Sequence, residues 1–173
     1  MQQSFRRFLR RSFPSLHSRW LRLRETLITR AWYHAEERGN RKKTVEEVFT
    51  DIYAAGRWGE SDGASCSGDG SIVESVVLPY VHAVGEEAAK RGLLGKVFVD
   101  LGCGDFRVGR HMLPMCSSYI GVDVVRSLVL DNQKKFGSAT TRFLHQNIVD
   151  DDIPDGDVCF LRQVLQQIGR AHV

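Results

Sequence analysis

The stretch Val97-Phe-Val-Asp-Leu-Gly-Cys-Gly-Asp105 decides the fold of this chain. Its first five residues are a short apolar run broken only by Asp100, which is typical of a strand buried on both faces of a sheet. Gly102 and Gly104 follow at once, and glycine permits the positive φ angles that a sharp turn from a strand into a helix requires. Glycine also lets a ligand approach the backbone closely, so the turn predicts a nucleotide-type binding site.

Strands and helices alternate in the residues that follow this turn. The pattern predicts a helix over 106–115, a second strand over 119–123, a second helix over 127–136, a third strand over 141–146 and a fourth over 157–161. Strands that alternate with helices form parallel sheets with right-handed crossovers. We therefore predict an α/β fold with a Rossmann-like, doubly wound, mostly parallel sheet. Its first four strands are expected in the order 3-2-1-4, preceded by N-terminal helices.

A helix and a glycine-rich loop are predicted ahead of this sheet. The helix begins at Thr44, has acids in its first turn and apolar residues at helical spacing, and ends near Gly56. Residues 56–70 then carry five glycines among polar residues and the lone Trp58, so this stretch is a loop by composition. It is long enough to serve a function.

A second helix is predicted from Ser71 to Gly92. Ser71 and Glu74 have the spacing of a capping box, and apolar residues supply one face of the helix. Pro79 lies inside it and is expected to kink it.

Charge separates the 173 residues into two segments. Residues 1–43 hold 12 Lys or Arg and three acids, a net charge of +9, whereas residues 44–173 hold 12 basic and 18 acidic residues, a net charge of −6. Arginines alternate with Phe, Leu and Trp in the first segment, which predicts a basic amphipathic N-terminal extension on a domain of residues 44–173. Four interpretations of this extension stay open: a solvated helix, a helix on anionic lipid through residues 1–30, an organelle transit peptide, or a nucleic-acid arm.

Apolar runs and cysteine spacing exclude several classes of protein. No run approaches the ~18 consecutive apolar residues of a membrane-spanning helix, so an integral membrane protein is excluded. The cysteines form no C-x-x-C pair, so neither a zinc site nor a disulfide framework is predicted, and no metal is expected. No secretory signal peptide is recognised. We therefore expect reduced thiols and a cytoplasmic location, with organelle targeting through the Arg-rich N-terminus as the alternative.

The spacing of an acid after the glycine turn indicates the ligand. Asp123 ends the second strand 23 residues beyond Asp100, close to the ~20-residue offset at which a carboxylate binds ribose hydroxyls. A dinucleotide site favours a third glycine in G-x-G-x-x-G, but Arg107 stands there. The residues therefore predict an adenosine ligand without a diphosphate. No catalytic residue is assigned, and a structural role is preferred for the three tempting side chains His111, His145 and Cys103.

Four segments in sequence order resemble the motifs of class I S-adenosylmethionine-dependent methyltransferases. They are Val99-Asp-Leu-Gly-Cys-Gly-Asp105, Tyr119-Ile-Gly-Val-Asp123, Arg142-Phe-Leu-His-Gln-Asn147 and Asp157-Val-Cys-Phe-Leu-Arg-Gln-Val-Leu165. The resemblance spans about residues 45–168 and is strongest to small bacterial-type methyltransferases with a Trp-Gly dipeptide and a Ser-Gly-x-Gly-Ser loop. It implies S-adenosyl-L-methionine as cofactor and an enzyme that transfers a methyl group.

The resemblance also implies which residues bind this cofactor. The turn glycines would face the methionine part, Asp123 the ribose and Asn147 the adenine. Leu161 and Arg162 would end their strand beside the methyl group. Phe106 departs from the small residue that is commoner in the family. The predicted set is Trp58, Asp100, Gly102, Cys103, Gly104, Asp105, Asp123, Val124, Asn147, Ile148, Leu161 and Arg162.

A small molecule or a glycan hydroxyl is the expected methyl acceptor. Leu161-Arg-Gln-Val164 follows the fourth strand, where many amino-methylating nucleic-acid enzymes of this class have Asn/Asp-Pro-Pro-Tyr/Phe. The alternatives are a non-catalytic cofactor-binding or interaction fragment, and an RNA-associated methyltransferase that uses the basic arm. Sheets of this class continue past a fourth strand, and residues 168–173 resemble a translated sequencing adapter. We therefore expect the domain to be an incomplete N-terminal part and this chain to be a poor enzyme.

Overall fold

The structure is a computed structural model that describes residues 42–61, 64–165 and 167. They belong to a compact unit that starts at Lys43, apart from Lys42. The predictions for the basic extension and for residues 168–173 fall outside the described residues, except at Lys42 and Lys43.

Helix α1, Val45–Ala54, begins where the sequence predicts it. Thr44 is its N-cap: the Thr44 hydroxyl accepts the N–H of Glu47 at 3.2 Å, and the Glu47 carboxylate accepts the N–H of Thr44 at 2.7 Å. This capping box satisfies two backbone donors that the first turn leaves unpaired. The apolar face of α1 packs against Val124, which lies at the carboxyl ends of the strands of the main sheet.

The glycine-rich loop contains more regular structure than its composition predicts. Strands β1 (Glu60–Ser61) and β2 (Ala64–Ser65) pair antiparallel within it. The short helix α2, Asp69–Ile72, follows them directly.

Helix α3, Glu74–Lys90, includes Pro79 and is followed by Gly92 at a φ of 67°. Its predicted end is therefore confirmed, whereas the capping box predicted at Ser71 is wrong. Ser71 belongs to α2, so Val73 is the N-cap of α3 and makes no side-chain cap.

Four parallel strands form the main sheet: β3 (Lys96–Leu101), β4 (Cys116–Asp123), β5 (Thr141–His145) and β6 (Val158–Phe160). Their order is β5-β4-β3-β6, so the predicted order of third, second, first and fourth strand is confirmed. The chain winds from β3 through β4 to β5 on one side and returns to place β6 on the other. The topological switch point therefore lies between β3 and β6, at the carboxyl ends of the strands.

The segment after β3 departs from the predicted α-helix. It is a 3₁₀ helix, Gly109–Met115, which contains Pro114. Phe106 has a φ of 63°, in the left-handed region, so a regular α-helix cannot begin there. The next predicted helix is confirmed as α4, Arg126–Phe136.

The core lies directly beneath the turn that follows β3. Phe106, Tyr119 and Phe98 are fully buried. The ring centroid of Phe106 lies 5.1 Å from that of Tyr119 and 4.9 Å from that of Phe143. Phe106 stands where the family more often has a small residue, and its ring fills part of this core.

Candidate functional site

A cleft opens at the carboxyl edge of the sheet, above the turn between Gly102 and Gly104. Its empty space is about 1020 Å³, open solvent at its mouth included. Leu161 is 40% exposed and does not line the cleft. The other predicted cofactor-binding residues do line it, namely Trp58, Asp100, Gly102, Cys103, Gly104, Asp105, Asp123, Val124, Asn147, Ile148 and Arg162.

The backbone of the turn is fixed to the neighbouring strand β4. Gly102 and Gly104 have φ angles of 79° and 55°, which favour glycine. The N–H groups of Gly102 and Cys103 both donate to the carbonyl oxygen of Val122, at 2.8 and 3.0 Å. The turn therefore holds one conformation at the end of the sheet.

Both backbone polar groups of Gly104 have buried side-chain partners. Its N–H donates to Asp123 Oδ2 at 2.9 Å, and its carbonyl oxygen accepts from Asn132 Nδ2 at 2.8 Å. Asp123 Oδ1 accepts the N–H of Val125 at 2.9 Å. Burial raises the pKa of Asp123, while the N–H donors of Val125 and Gly104 oppose this shift. The N–H of Val124 also acts on this carboxylate. A carboxylate has about four lone-pair sites, so capacity remains for a hydroxyl donor of a ligand.

The loop before α2 is tied to the same turn through Ser67. The N–H of Ser67 donates to Asp105 Oδ2 at 3.0 Å, and the N–H of Asp105 donates to Ser67 Oγ at 3.1 Å. The Tyr53 hydroxyl of α1 lies 2.7 Å from Ser67 Oγ. Burial raises the pKa of Tyr53, so its hydroxyl stays protonated. The ring of Trp58 packs edge-on against Tyr53 at 5.1 Å, which makes Trp58 both a packed anchor and a wall of the cleft.

The turn glycines are required by the packing of the chain as well as by their φ angles. A Cβ added at Gly102 would overlap the side chain of Val164, and one added at Gly104 would overlap that of Ser67. The chain's own side chains therefore fill the space beside these α-carbons. Approach of a ligand to their backbone stays a prediction.

Asp100 on β3 and Arg162, which follows β6, also line the cleft. The Tyr119 hydroxyl donates to Asp100 Oδ2 at 2.5 Å, and burial raises the pKa of Asp100 to about 6. Arg162 Nη2 donates to the carbonyl oxygen of Gly70 at 2.5 Å, and its Cζ lies 5.1 Å from the ring centroid of Tyr80. The cleft lining therefore includes an acid and a cation near the turn, and the Arg162 charge lowers the pKa of Asp100 against the larger effect of burial.

At the end of β5, the side chain of Asn147 forms a local turn. Its Oδ1 accepts the N–H of Val149 at 3.1 Å, and its Nδ2 donates to Asp150 Oδ2 at 2.6 Å. The predicted contact of Asn147 with adenine stays a prediction. The neighbouring Gln146 donates to the carbonyl oxygen of Asp152 through Nε2, while its buried Oε1 has no hydrogen-bond partner among the described residues.

Comparison with known proteins found similar solved structures. Methyltransferases are among the solved structures that this chain resembles. No family model and no curated protein matches the chain.

Three solved structures illustrate the likeness. Magnesium protoporphyrin IX methyltransferase from Synechocystis PCC 6803, with bound SAH, has 16% identity, covers 79% of this chain and gives a TM-score of 0.46. Coclaurine N-methyltransferase, bound to N-methylheliamine and SAH, has 14% identity, 91% coverage and a TM-score of 0.41. An S-adenosylmethionine-dependent methyltransferase from Clostridium acetobutylicum has 19% identity, 47% coverage and a TM-score of 0.39. This chain spans 64%, 48% and 37% of those chains respectively.

The surroundings of His145 and Cys103 fit structural roles. His145 Nε2 lies 3.0 Å from the carbonyl oxygen of Val124 and 3.2 Å from Glu46 Oε1, so it links α1 to the end of β4. Burial raises the pKa of Cys103 well above that of a free thiol, which keeps the sulfur protonated and a poor nucleophile. His111 does not line the cleft.

In the described residues, no group of three or more metal-ligating side chains is present, and no helix has the length and apolarity to cross a membrane.

Three residues of the site were not singled out from the sequence: Ser67, Asn132 and Tyr53. Asn132 lies three residues after the buried Val129 on α4 and is itself 4% exposed. A polar residue at that spacing on a buried helix face is the signal that indicates a buried hydrogen bond. Ser67 is the first residue of the Ser-Gly-x-Gly-Ser loop, and no other pattern in the sequence marks it. Its link to Asp105 joins residues 38 apart, and no local pattern predicts such a contact.

Proposed function

We propose that this chain binds S-adenosyl-L-methionine in the cleft and transfers its methyl group to a small-molecule or glycan acceptor. The observation that carries the proposal is the turn between Gly102 and Gly104, which Asp123 and Asn132 fix at the carboxyl ends of parallel strands. Ligands of doubly wound sheets bind at this edge, near the switch point. The likeness of four ordered sequence motifs to those of class I methyltransferases supports the same choice of cofactor.

The charges of the cleft fit this cofactor. Its lining includes three carboxylates and one cation, namely Asp100, Asp105, Asp123 and Arg162. S-adenosylmethionine carries a sulfonium, an ammonium and one carboxylate, so it has more positive than negative charge. A negatively charged cleft with partly buried walls favours such a ligand.

The strand register gives the ligand a direction along the sheet edge. Asp123 ends β4 on one side of the turn, while Arg162 follows β6 on the other side. Neighbouring strands are ~4.8 Å apart, so two residues that flank the β3 turn stand roughly 10 Å apart. An extended nucleoside with an amino-acid tail covers that span. We therefore place its ribose at Asp123 and its methionine part between Asp100 and Arg162.

The contribution of the chain to the reaction is binding and orientation. The bound cofactor supplies a methyl group on a positively charged sulfur, which is a reactive electrophile with its own leaving group. The turn and Asp123 hold the nucleoside end, and the loop that carries Trp58 and Ser67 forms one wall of the cleft. Alignment of the acceptor with the methyl group then supplies much of the rate enhancement.

A compact acceptor is favoured by the segment after β6. The side chain of Val164 packs over Gly102, and Arg162 is tied to Gly70, so this segment closes one side of the cleft. A hydroxyl acceptor also requires a base, whereas a neutral amine or a thiolate does not. The acceptor panel in the experiment below spans these cases.

Calorimetric titration of the full chain with S-adenosylmethionine, S-adenosylhomocysteine and NAD tests the proposal. We expect saturable binding of the first two at one site per chain and no binding of NAD, since Arg107 stands where a dinucleotide motif has glycine. Transfer of a labelled methyl group is then measured to a panel of hydroxyl, amine, thiol and glycan compounds. An RNA oligonucleotide in the same panel tests the alternative in which residues 1–43 serve an RNA acceptor. Absence of binding by both adenosyl compounds would overturn the proposal.

A further inference from the structure

We propose that Arg162 binds the carboxylate of the methionine moiety of the cofactor. The assignment rests on the proposed function, and it makes Arg162 the residue that fixes the amino-acid end of the ligand. It differs from the expectation in the sequence analysis, which placed Arg162 beside the methyl group.

The position of Arg162 follows from the register of β3 and β6. Asp100 pairs with Phe160, so two further residues along each chain bring Arg162 beside Gly102. The side chain of Val164 lies against the α-carbon of Gly102, which shows that the segment stays close to the turn beyond the last strand pair. Arg162 therefore faces the methionine end of the proposed ligand rather than its adenosine end.

The guanidinium of Arg162 is held in place without being neutralised. One nitrogen donates to the carbonyl oxygen of Gly70, and the ring of Tyr80 stacks beside the cation. In the part of the chain that the structure describes, no carboxylate lies within salt-bridge distance of this guanidinium. A partly buried cation with a backbone carbonyl and a ring as partners still has donors free for an anion.

The charge pattern around the turn matches an α-amino acid. Asp100 and Arg162 both line the cleft, and the charge of Arg162 acts electrostatically on the Asp100 carboxyl group. An ammonium next to Asp100 and a carboxylate next to Arg162 satisfy both charges at once. A planar guanidinium accommodates a carboxylate through two parallel hydrogen bonds, which lysine cannot reproduce.

A ligand that lacks only this carboxylate supplies the test. Decarboxylated S-adenosylmethionine keeps the adenosine, the sulfonium and the amine. The wild-type chain and Arg162→Gln are titrated with both ligands, and the ratio of the two dissociation constants is the readout. We expect the wild type to prefer S-adenosylmethionine by about 10–100-fold, the range of hydrogen bonds to a charged group, and Arg162→Gln to lose that preference.

The ratio separates binding of the carboxylate from a general disturbance of the fold. Loss of the contact with Gly70 would weaken both ligands alike and leave the ratio unchanged. Gln167→Ala is the matched control, because Gln167 lines the same cleft and is not expected to meet the carboxylate. Arg162→Lys should keep part of the preference, since it retains the charge without the planar fork.

Three results would overturn the assignment. The first is equal affinity of the wild type for both ligands. The second is a preference that Arg162→Gln retains in full, which would leave Arg162 to an anionic group of the acceptor. In both cases the proposed function stands, because the cofactor still binds. The third is absence of binding of either ligand by the wild type, and this result alone removes the proposed function as well.

Discussion

The two sides of the cleft are built in different ways. On the β4 side, Gly104 is held by Asp123 and Asn132, which lie 19 and 28 residues away and are 7% and 4% exposed. On the β6 side, Arg162 is held by Gly70, 92 residues away, and follows a strand of only three residues.

We call the β4 side the fixed half of the site, and the β6 side the dependent half, because its geometry depends on a loop that is distant in the sequence. Buried hydrogen bonds with matched partners hold the β4 side whatever the ligand, because an unpaired buried polar group is costly. The geometry of the β6 side depends on how the loop of residues 56–70 lies over it. We expect substitutions on the β4 side to act on folding, and at Asp123 on ligand affinity as well, whereas those on the β6 side should act mainly on ligand selection.

The largest effect is expected for Phe106→Ala, on the β4 side. The ring is fully buried beneath the turn, so its loss leaves a cavity and should lower the free energy of unfolding by about 3–5 kcal/mol. Urea unfolding of both proteins measures it. Leu161→Ala on the β6 side is the control: Leu161 is 40% exposed, and its truncation should cost less than about 1 kcal/mol. Similar losses for the two variants would contradict the contrast between the sides.

A smaller loss is expected for Asn132→Leu. Leucine has a similar size but leaves the carbonyl oxygen of Gly104 without its donor, which should cost about 1–3 kcal/mol of unfolding free energy. The neighbouring Leu130 is 61% exposed, so Leu130→Ala should change stability by no more than about 0.5 kcal/mol. Equal stabilities of the two variants would show that the amide does not support the turn.

Asp100 lies at the boundary between the sides and gives a pH-dependent prediction. Its pKa is raised from 3.8 to about 6 by burial, so the folded chain binds more protons than the unfolded chain between these values. The stability that this group contributes is therefore present at low pH and lost as pH rises through about 6. Asp100→Asn removes the loss, so its stability relative to wild type should rise between pH 4 and about 6 and then level off. A difference that stays constant from pH 4 to 8 would rule out this titration.

The smallest effect is expected for Ser67→Ala, which tests whether the Ser67 hydroxyl anchors the loop of the dependent half to the turn. The variant removes the hydroxyl that accepts the N–H of Asp105 and contacts Tyr53, at a cost of about 0.5–1.5 kcal/mol. Thermal unfolding measures the change, with the exposed Ser75→Ala on α3 as the control. A Ser67→Ala variant as stable as Ser75→Ala would mean that the loop is not anchored through this hydroxyl.

The fixed half is also the half that the sequence predicts well. The strand, the turn glycines and Asp123 are each marked by a local pattern, and the order of all four strands follows from their alternation with helices. Contacts between distant segments have no such pattern, so the partners of Ser67 and Arg162 appear only in the structure. No local pattern marks the left-handed backbone of Phe106 either. A 3₁₀ helix therefore stands where the sequence predicts an α-helix.

The proposed function depends above all on binding of S-adenosylmethionine in the cleft with its ribose on Asp123. The most direct test is calorimetric titration of S-adenosylhomocysteine into the wild-type chain and Asp123→Asn. Asparagine keeps the shape of the side chain and one acceptor oxygen, so it leaves only one of the buried N–H groups of Gly104 and Val125 without an acceptor, whereas alanine would strand both. Circular dichroism confirms that the variant is folded. We predict binding by the wild type that the variant weakens by about 10–100-fold, the scale of hydrogen bonds to a charged group. Equal affinities in two folded proteins would contradict the claim.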